Sequence, residues 1–301
     1  MKKQLLIVSL TLLLSTYAIA QRTPAPSQGA QVMQTIGVTD FTVKYSRPML
    51  RKRKVFADSS VLAPYNQLWR TGANSPTTIE VSTEFTFGDR KVPSGKYALL
   101  SIPSGTAWTV ILNKNYNQGT EAYSESEDVA RTRVVPTSGE FTEAFKIDIE
   151  PVSDSTGYLI LSWSSVKIPV PVSVRTESLT MNSLNKIIAE KPEDTAALES
   201  AAGYLLSKGK DLPIALSWAD KAIGLKESYY NMWLKASILS KLGKYNEALP
   251  VAQKALTLGN ASDQAFTGFF KGQIEKTIAE IQPKVTPKAV AGNVKGKKKK
   301  K

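Results

Sequence analysis

The segment FTVKYS at residues 41–46 alternates apolar and polar side chains, so every second residue points to the same side of an extended chain. The same two-residue period recurs at 108–112 and 159–163, and turn residues such as Pro93-Ser94-Gly95 separate the runs. No helical stretch within residues 30–175 is long enough to connect parallel strands. The pattern therefore predicts eight or nine short strands in an antiparallel β-sandwich of the jelly-roll or immunoglobulin type.

Two details concern the last strands of this region. Phe141 has the same parity as Phe145 and Ile149, so we expect all three side chains on one buried side. Pro169 and Pro171 stand two residues apart and remove two amide donors from the same side of a strand. This spacing predicts that the last strand lies at a sheet edge.

Beyond Val174 the apolar period changes to that of a helix, and the chain overlays on itself after a shift of 33 residues. In this overlay Ala215, Ala219 and Ala222 fall on Ala248, Ala252 and Ala255. Small residues at these positions let neighbouring helices approach closely. Residues 176–282 resemble tetratricopeptide repeats, and this pattern predicts a short α-helical array of about six helices. The first helix is predicted over 178–190 and the final one over 262–281.

Helical arrays of this type offer two interpretations. In the first, a groove binds a peptide of a protein partner, and its polar candidates are Asn231, Lys235, Gln264 and Lys271. In the second, the helical region has a structural role only, as a packed spacer without a binding partner. Two repeats present a small groove, so the sequence leaves both interpretations open.

Residues 47–74 interrupt the strand pattern with a long irregular segment, and loops of this length are often functional. Guanidinium groups beside aromatic rings suit the recognition of carboxylates, phosphates or sugar rings. The candidate ligand-binding residues are Arg47, Tyr65, Trp69, Arg70 and Asn74. In the alternative interpretation the segment is a structural crossover in which Trp69 fills the core and Arg70 caps carbonyl groups.

The segment from about Val32 to Val174 resembles the domain of unknown function 2911 family, which occurs in exported bacterial proteins. The resemblance depends on the strings QTIG (34–37), YSRP (45–48), PY (64–65), WRTGAN (69–74), PSGKY (93–97) and WTVILN (108–113). It implies one β-rich domain and export. It implies no reaction, cofactor or catalytic residue, and the basic run at 51–54 is an addition to the family's pattern.

Histidine and cysteine are both absent from the chain. Their absence excludes Ser-His-Asp and Cys-His catalysis, zinc sites built from these residues, iron–sulfur clusters and disulfide bonds. The acidic stretch at 121–128 lacks the spaced ligands and glycine of a calcium loop, which favours a solvated loop. We therefore predict no cofactor and no metal site.

The net charge of +13 lies mostly at the two ends of the chain. Residues 1–20 carry +2 and residues 283–301 carry +8, whereas residues 21–175 carry +3 and residues 176–282 are neutral. A nucleic-acid-binding domain needs its positive excess on a folded surface, so no nucleic-acid partner is predicted. The lysine-rich tail at 283–301 is expected to be disordered, either in peripheral contact with anionic surfaces or without a partner.

Lys2 and Lys3, the apolar run at 5–14 and the small residues Ala18-Ile19-Ala20 form the pattern of a signal peptide cleaved after Ala20. A short leader at 21–29 follows. The apolar run is too short to span a bilayer, which needs roughly 20 residues. The sequence thus predicts a periplasmic or secreted protein without a transmembrane segment.

These features favour an exported binding or interaction protein over an enzyme. One alternative is a carboxylate-dependent hydrolase acting on carbohydrate or cell-envelope material, which needs two carboxyl groups in one cleft. Its candidates are Glu80, Glu84, Asp89, Glu121, Glu125, Glu127, Asp128, Glu143 and Asp148. The other alternative is a structural adaptor of an envelope complex.

Overall fold

A computed structural model describes residues 23–261 and 266–286. These residues form two compact units that divide between Thr176 and Glu177, here called the β unit and the helical unit. The predicted signal peptide, Gln264 and the tail beyond residue 286 lie outside the described residues.

The β unit contains ten strands in two antiparallel sheets. They are β1 (Gln28–Ile36), β2 (Thr39–Arg47), β3 (Thr78–Val81), β4 (Phe85–Phe87), β5 (Arg90–Val92), β6 (Gly95–Ile102), β7 (Trp108–Asn113), β8 (Asp128–Val134), β9 (Thr137–Pro151) and β10 (Thr156–Val174). A six-stranded sheet has the order β1-β2-β3-β6-β7-β8, and a four-stranded sheet has the order β5-β4-β10-β9. The antiparallel arrangement predicted from the alternation is confirmed.

The hydrophobic core of the β unit receives side chains from both sheets. Phe41 and Val43 of β2 and Trp108 of β7 are buried together with Phe145 of β9 and Trp163 of β10. On β2 the intervening residues are more exposed, as the sequence alternation requires. Burial of one face of each sheet thus accounts for the pattern at 41–46.

The hairpin between β1 and β2 requires glycine at position 37. Ile36 pairs with Thr39, which leaves two residues for the turn, and Gly37 has φ of 61°. A Cβ atom there would also collide with the carbonyl oxygen of Asp154. Only glycine satisfies both the left-handed backbone and this close approach.

Irregularities in the last two strands overturn two predictions. The pairing of β9 with β10 shifts register between Ser162 and Val166, and Phe141 is 64% exposed instead of buried. A bulge changes which side a residue faces, and parity alone cannot reveal it. The edge-strand prediction for Pro169 and Pro171 is also wrong, because β10 lies between β4 and β9 in its sheet.

The two prolines are accommodated because β10 changes its partner along its length. Residues Gly157–Lys167 pair with β9, and Val172–Val174 pair with β4. Pro169 and Pro171 lie between these paired stretches, where the ladder does not need their missing N–H groups.

The helical unit contains six α-helices in its described part. They are α1 (Thr176–Glu190, whose first residue belongs to the β unit), α2 (Thr195–Lys208), α3 (Leu212–Leu225), α4 (Tyr229–Lys241), α5 (Tyr245–Asn260) and α6 (Lys271–Ile281). The final helix is shorter than predicted, since a π-helical turn at Phe266–Phe270 precedes α6. None of the helices in residues 23–261 and 266–286 is both long and apolar enough to cross a membrane.

The alanines that overlay in the 33-residue repeat are fully buried, three in α3 and three in α5. α2 packs against α3, and α4 packs against α5. Small side chains at these contacts allow the helices to approach closely. The described chain thus consists of two antiparallel sheets followed by helices, as the change of period predicted.

Candidate functional site

The connection between β2 and β3 is the most unusual backbone of the β unit. Of the eight non-glycine residues with positive φ in the described chain, six lie here: Arg51, Lys52, Phe56, Asn66, Thr71 and Asn74. Buried hydroxyl groups hold the segment in place, since the Oγ1 of Thr77 donates to the carbonyl oxygen of Thr71 at 2.7 Å. The hydroxyl groups of Thr71 and Ser101 lie 2.9 Å apart. Such strained conformations persist only where the surroundings fix them, and they cluster at functional sites.

Trp69 is a core residue, and this corrects its predicted role in stacking on a ligand. Its side chain is 6% exposed and stacks on Trp163 with ring centroids 5.8 Å apart. Phe145 packs edge-on at 5.0 Å, and the Nε1–H donates to the carbonyl oxygen of Gly72 at 3.1 Å. Because the indole is almost fully buried among core rings, it is not available to stack on a ligand.

Arg70 and Asn74 fasten the segment to the beginning of β1. The Nη1 of Arg70 donates to the carbonyl oxygen of Asn74 at 2.6 Å. The Nδ2 of Asn74 donates to the carbonyl oxygen of Ser27 at 3.1 Å and to the Oγ of Ser46, next to Arg47, at 3.4 Å. Of the five predicted residues, Arg70 and Asn74 are thus joined to each other, whereas Arg47 forms no hydrogen bond with either of them within the described chain.

Tyr65 lies apart from these residues in the hydrogen-bond network. It is partly buried against the core of the β unit, and its backbone N–H donates to the carbonyl oxygen of Ala57 at 3.4 Å. Among the described residues no hydrogen bond joins Tyr65 to the other four predicted residues.

Two arginines line an open groove of about 440 Å³ beside the beginning of β1, which we call the arginine groove. Arg47 and Arg51 share it with Pro26, Gln28, Met49 and Ala144. The Nε of Arg47 donates to the carbonyl oxygen of Phe145 at 3.0 Å. The Nη2 of Arg51 donates to the carbonyl oxygen of Pro26 at 3.4 Å. Each guanidinium is therefore anchored by one nitrogen and keeps further N–H donors for a ligand.

The arginine groove adjoins a basic surface. Arg47 and the four residues of the run at 51–54 take part in no ion pair within the described chain. The carboxylate of Glu143 also lies at this segment, where its Oε1 accepts a hydrogen bond from the backbone N–H of Arg51 at 2.7 Å. Arg53 donates to the carbonyl oxygens of Met49 and Leu50 and so stabilises the turn itself. The surface around Arg47 and Arg51 attracts anions.

Two of the carboxylates considered for hydrolysis, Asp148 and Asp128, are engaged with neighbouring side chains. The Oδ2 of Asp148 lies 2.7 Å from the Nζ of Lys146, and this hydrogen bond raises the pKa of Lys146. Asp128 accepts hydrogen bonds from the Nδ2 of Asn113 and the hydroxyl of Tyr123, both at 2.8 Å. Burial, with a smaller contribution from Asp128, raises the pKa of Tyr123 to about 12. These contacts secure β-strand and loop geometry.

The residues predicted to line a partner groove in the helical unit lie in different environments. Asn231 is 0% exposed and forms a capping box with Ser228 at the start of α4, so its assignment to a groove is wrong. The Nζ of Lys235 lies 2.7 Å from the Oδ1 of Asp220. Lys271 is partly exposed at the start of α6, and Gln264 lies outside the described residues. The spacing Ser228-x-x-Asn231 is the signal by which the cap could have been identified.

A family model described as "Protein of unknown function (DUF2911)" matches residues 27–172. This match confirms the family resemblance of the segment that forms the two sheets. Searches of curated proteins and of solved structures found no match.

Proposed function

We propose that this protein is an exported binding protein whose β unit holds an anionic ligand in the arginine groove. The proposal depends on one observation: Arg47 and Arg51 line one open groove and form no ion pair with a carboxylate of the described chain. Arginine presents several N–H donors in a fixed plane, which suits bidentate contact with carboxylate or phosphate groups. The ligand class is therefore an organic acid or a phosphate-bearing molecule.

The remaining parts of the proposal concern architecture and location. The shared core of the two sheets supports a β-sandwich, and the buried alanines of the 33-residue repeat support a tetratricopeptide-like array that binds a protein partner. The signal-peptide pattern at residues 1–20 supports export to the periplasm or the medium. Amino-terminal sequencing of the protein recovered from outside the cytoplasm should begin at Gln21, and a protein that still carries residues 1–20 would contradict export by this route.

Calorimetric titration with inorganic phosphate and with citrate tests the arginine groove. We expect the double variant Arg47→Gln, Arg51→Gln to weaken binding of the preferred anion by at least about tenfold, since charge-assisted hydrogen bonds contribute roughly 1.5–3 kcal/mol each. Arg133→Gln is the matched control, because this arginine is exposed in β8 and takes part in no ion pair within the described chain. An equal loss in Arg133→Gln would mean that net charge alone attracts the anion, and the groove would then not be the site.

A further inference from the structure

Four aromatic side chains gather on one side of the helical unit. Tyr230 and Trp233 of α4 have ring centroids 5.8 Å apart, and Phe270 packs edge-on against Tyr230 at 5.4 Å. Phe269 contacts Phe270 at 5.2 Å and is 64% exposed. We call these four side chains the aromatic face. Tyr230, Trp233 and Phe270 are partly buried, and Phe269 is the exposed member of the group. Aromatic side chains that remain accessible in this way are typical of binding surfaces.

A carboxylate without a basic partner lies next to the aromatic face. The Oε1 of Glu199 on α2 accepts a hydrogen bond from the Nδ2 of Asn231 at 3.1 Å, and Glu199 takes part in no ion pair of the described chain. Partial burial raises the pKa of Glu199, while the hydrogen bond from Asn231 and the charge of Lys226 oppose this effect. Lys226 acts on Glu199 without forming an ion pair with it, and a half-buried carboxylate without an ion pair gains free energy when a cation binds directly beside it.

Gly203 lets the hydroxyl group of Tyr230 lie close to the backbone of α2. It follows Glu199 by four residues, so both lie on the same side of α2. A Cβ atom at Gly203 would lie 3.8 Å from the hydroxyl oxygen of Tyr230. Tyr230 forms no hydrogen bond through this hydroxyl within the described chain. The carboxylate of Glu199 thus lies near Tyr230, and its charge contributes to raising the pKa of Tyr230 after the larger effect of burial.

We propose that Glu199 and the aromatic face bind a lysine or arginine side chain of an extended segment of a protein partner. The carboxylate pairs with the ammonium or guanidinium group, and the rings of Tyr230 and Trp233 attract the same cation through their faces. The apolar stem of the basic side chain packs against Phe270 and the exposed Phe269. An acidic partner is disfavoured because Glu199 repels it.

This inference specifies the partner of the helical unit and rests on the proposed binding function. It is independent of the arginine groove, which lies in the β unit. Failure of the anion titration would leave it standing, and failure of the peptide experiment below would leave the arginine groove standing.

The test measures fluorescence anisotropy of three labelled Gly/Ser nonapeptides with the full chain. One peptide carries three lysines, the second three arginines, and the third three norleucines, which keep the stem and lack the charge. We expect the lysine or arginine peptide to bind at least about tenfold more tightly than the norleucine peptide. Equal binding of all three peptides would overturn the proposal.

Two pairs of variants locate the site. Glu199→Gln removes the charge but keeps an oxygen that can accept the hydrogen bond from Asn231. It should therefore weaken binding of the basic peptide about tenfold without lowering the melting temperature. Glu193→Gln, an exposed carboxylate in the loop before α2, should change binding less than twofold, since surface charges contribute little. Phe269→Ala should weaken binding, whereas Leu225→Ala, another exposed apolar residue of this unit, should not. Unchanged binding in Glu199→Gln, or an equal loss in Glu193→Gln, would overturn the assignment.

A chain ending at Thr286 tests whether the protein's own lysine-rich tail occupies the site. We expect the truncated and full chains to bind the basic peptide equally. If only the truncated chain binds the peptide, the occupant is the tail and the proposal of a separate partner is wrong.

Discussion

Replacing Trp69 with alanine should strongly destabilise the β unit. The buried tryptophan removes about 150–250 Å² from water, which corresponds to about 4–6 kcal/mol as an upper bound. Truncation of a buried tryptophan to alanine costs about 3–5 kcal/mol in practice, because the surroundings partly collapse into the cavity. We expect a loss of this size, since Trp69 is 6% exposed and packs against Trp163 and Phe145.

A loss of 3–5 kcal/mol corresponds to a fall in melting temperature of about 6–20 °C for a unit of this size. Scanning calorimetry measures the shift. The melting temperature of Trp69→Phe should lie between those of the natural protein and Trp69→Ala, because phenylalanine keeps a ring but leaves the carbonyl group of Gly72 without its donor. Phe141→Ala is the control, since this exposed ring should change stability by no more than about 0.5 kcal/mol. A Trp69→Ala loss below about 1 kcal/mol, together with lost phosphate binding, would refute the core assignment and restore the ligand-stacking role.

Three further changes test the polar contacts. Asn231→Ala should lower the free energy of unfolding, measured in urea, by about 1–3 kcal/mol, because the carbonyl group of Lys226 and the amide of Ser228 lose their partner. A decrease below about 0.5 kcal/mol would contradict the capping role of Asn231. Tyr123 should ionise near pH 12 in an absorbance titration. The stability that its neutral form contributes should fall as the pH rises from about 10 through this value, and Tyr123→Phe should not show this pH-dependent loss. Burial raises the pKa of Glu199, so its ionised form opposes folding. Glu199→Gln should therefore be more stable than the natural chain at pH 7, and the difference should vanish below about pH 4; equal stability at both values would contradict the partial burial.

The predictions made from the residues succeeded where the signal was a repeated local pattern. Alternation at 41–46 placed Phe41, Val43 and Tyr45 on the buried side of β2, and the 33-residue overlay identified alanines that are buried in α3 and α5. Both patterns follow from the geometry of a single strand or helix. They therefore need no knowledge of which elements become neighbours.

The predictions failed where a residue's role depended on a distant partner. Trp69 combined an aromatic ring with neighbouring arginine and asparagine, which suits a ligand site as well as a core. Its burial is decided by Trp163, which lies 94 positions further along the chain. Phe141 is exposed because of a register shift, which depends on how β9 and β10 pair.

By itself, the sequence determined that the chain contains β-strands followed by helices, that its charge lies at its ends, and that imidazole and thiol chemistry are excluded. The tertiary structure alone decided that Arg47 and Arg51 border one groove and that Glu199 lies beside Tyr230. The physical reason is that periodicity records how each residue meets solvent or core along one element. The position of a charge relative to a ring or to a second charge is set by contacts between elements that are far apart in the chain.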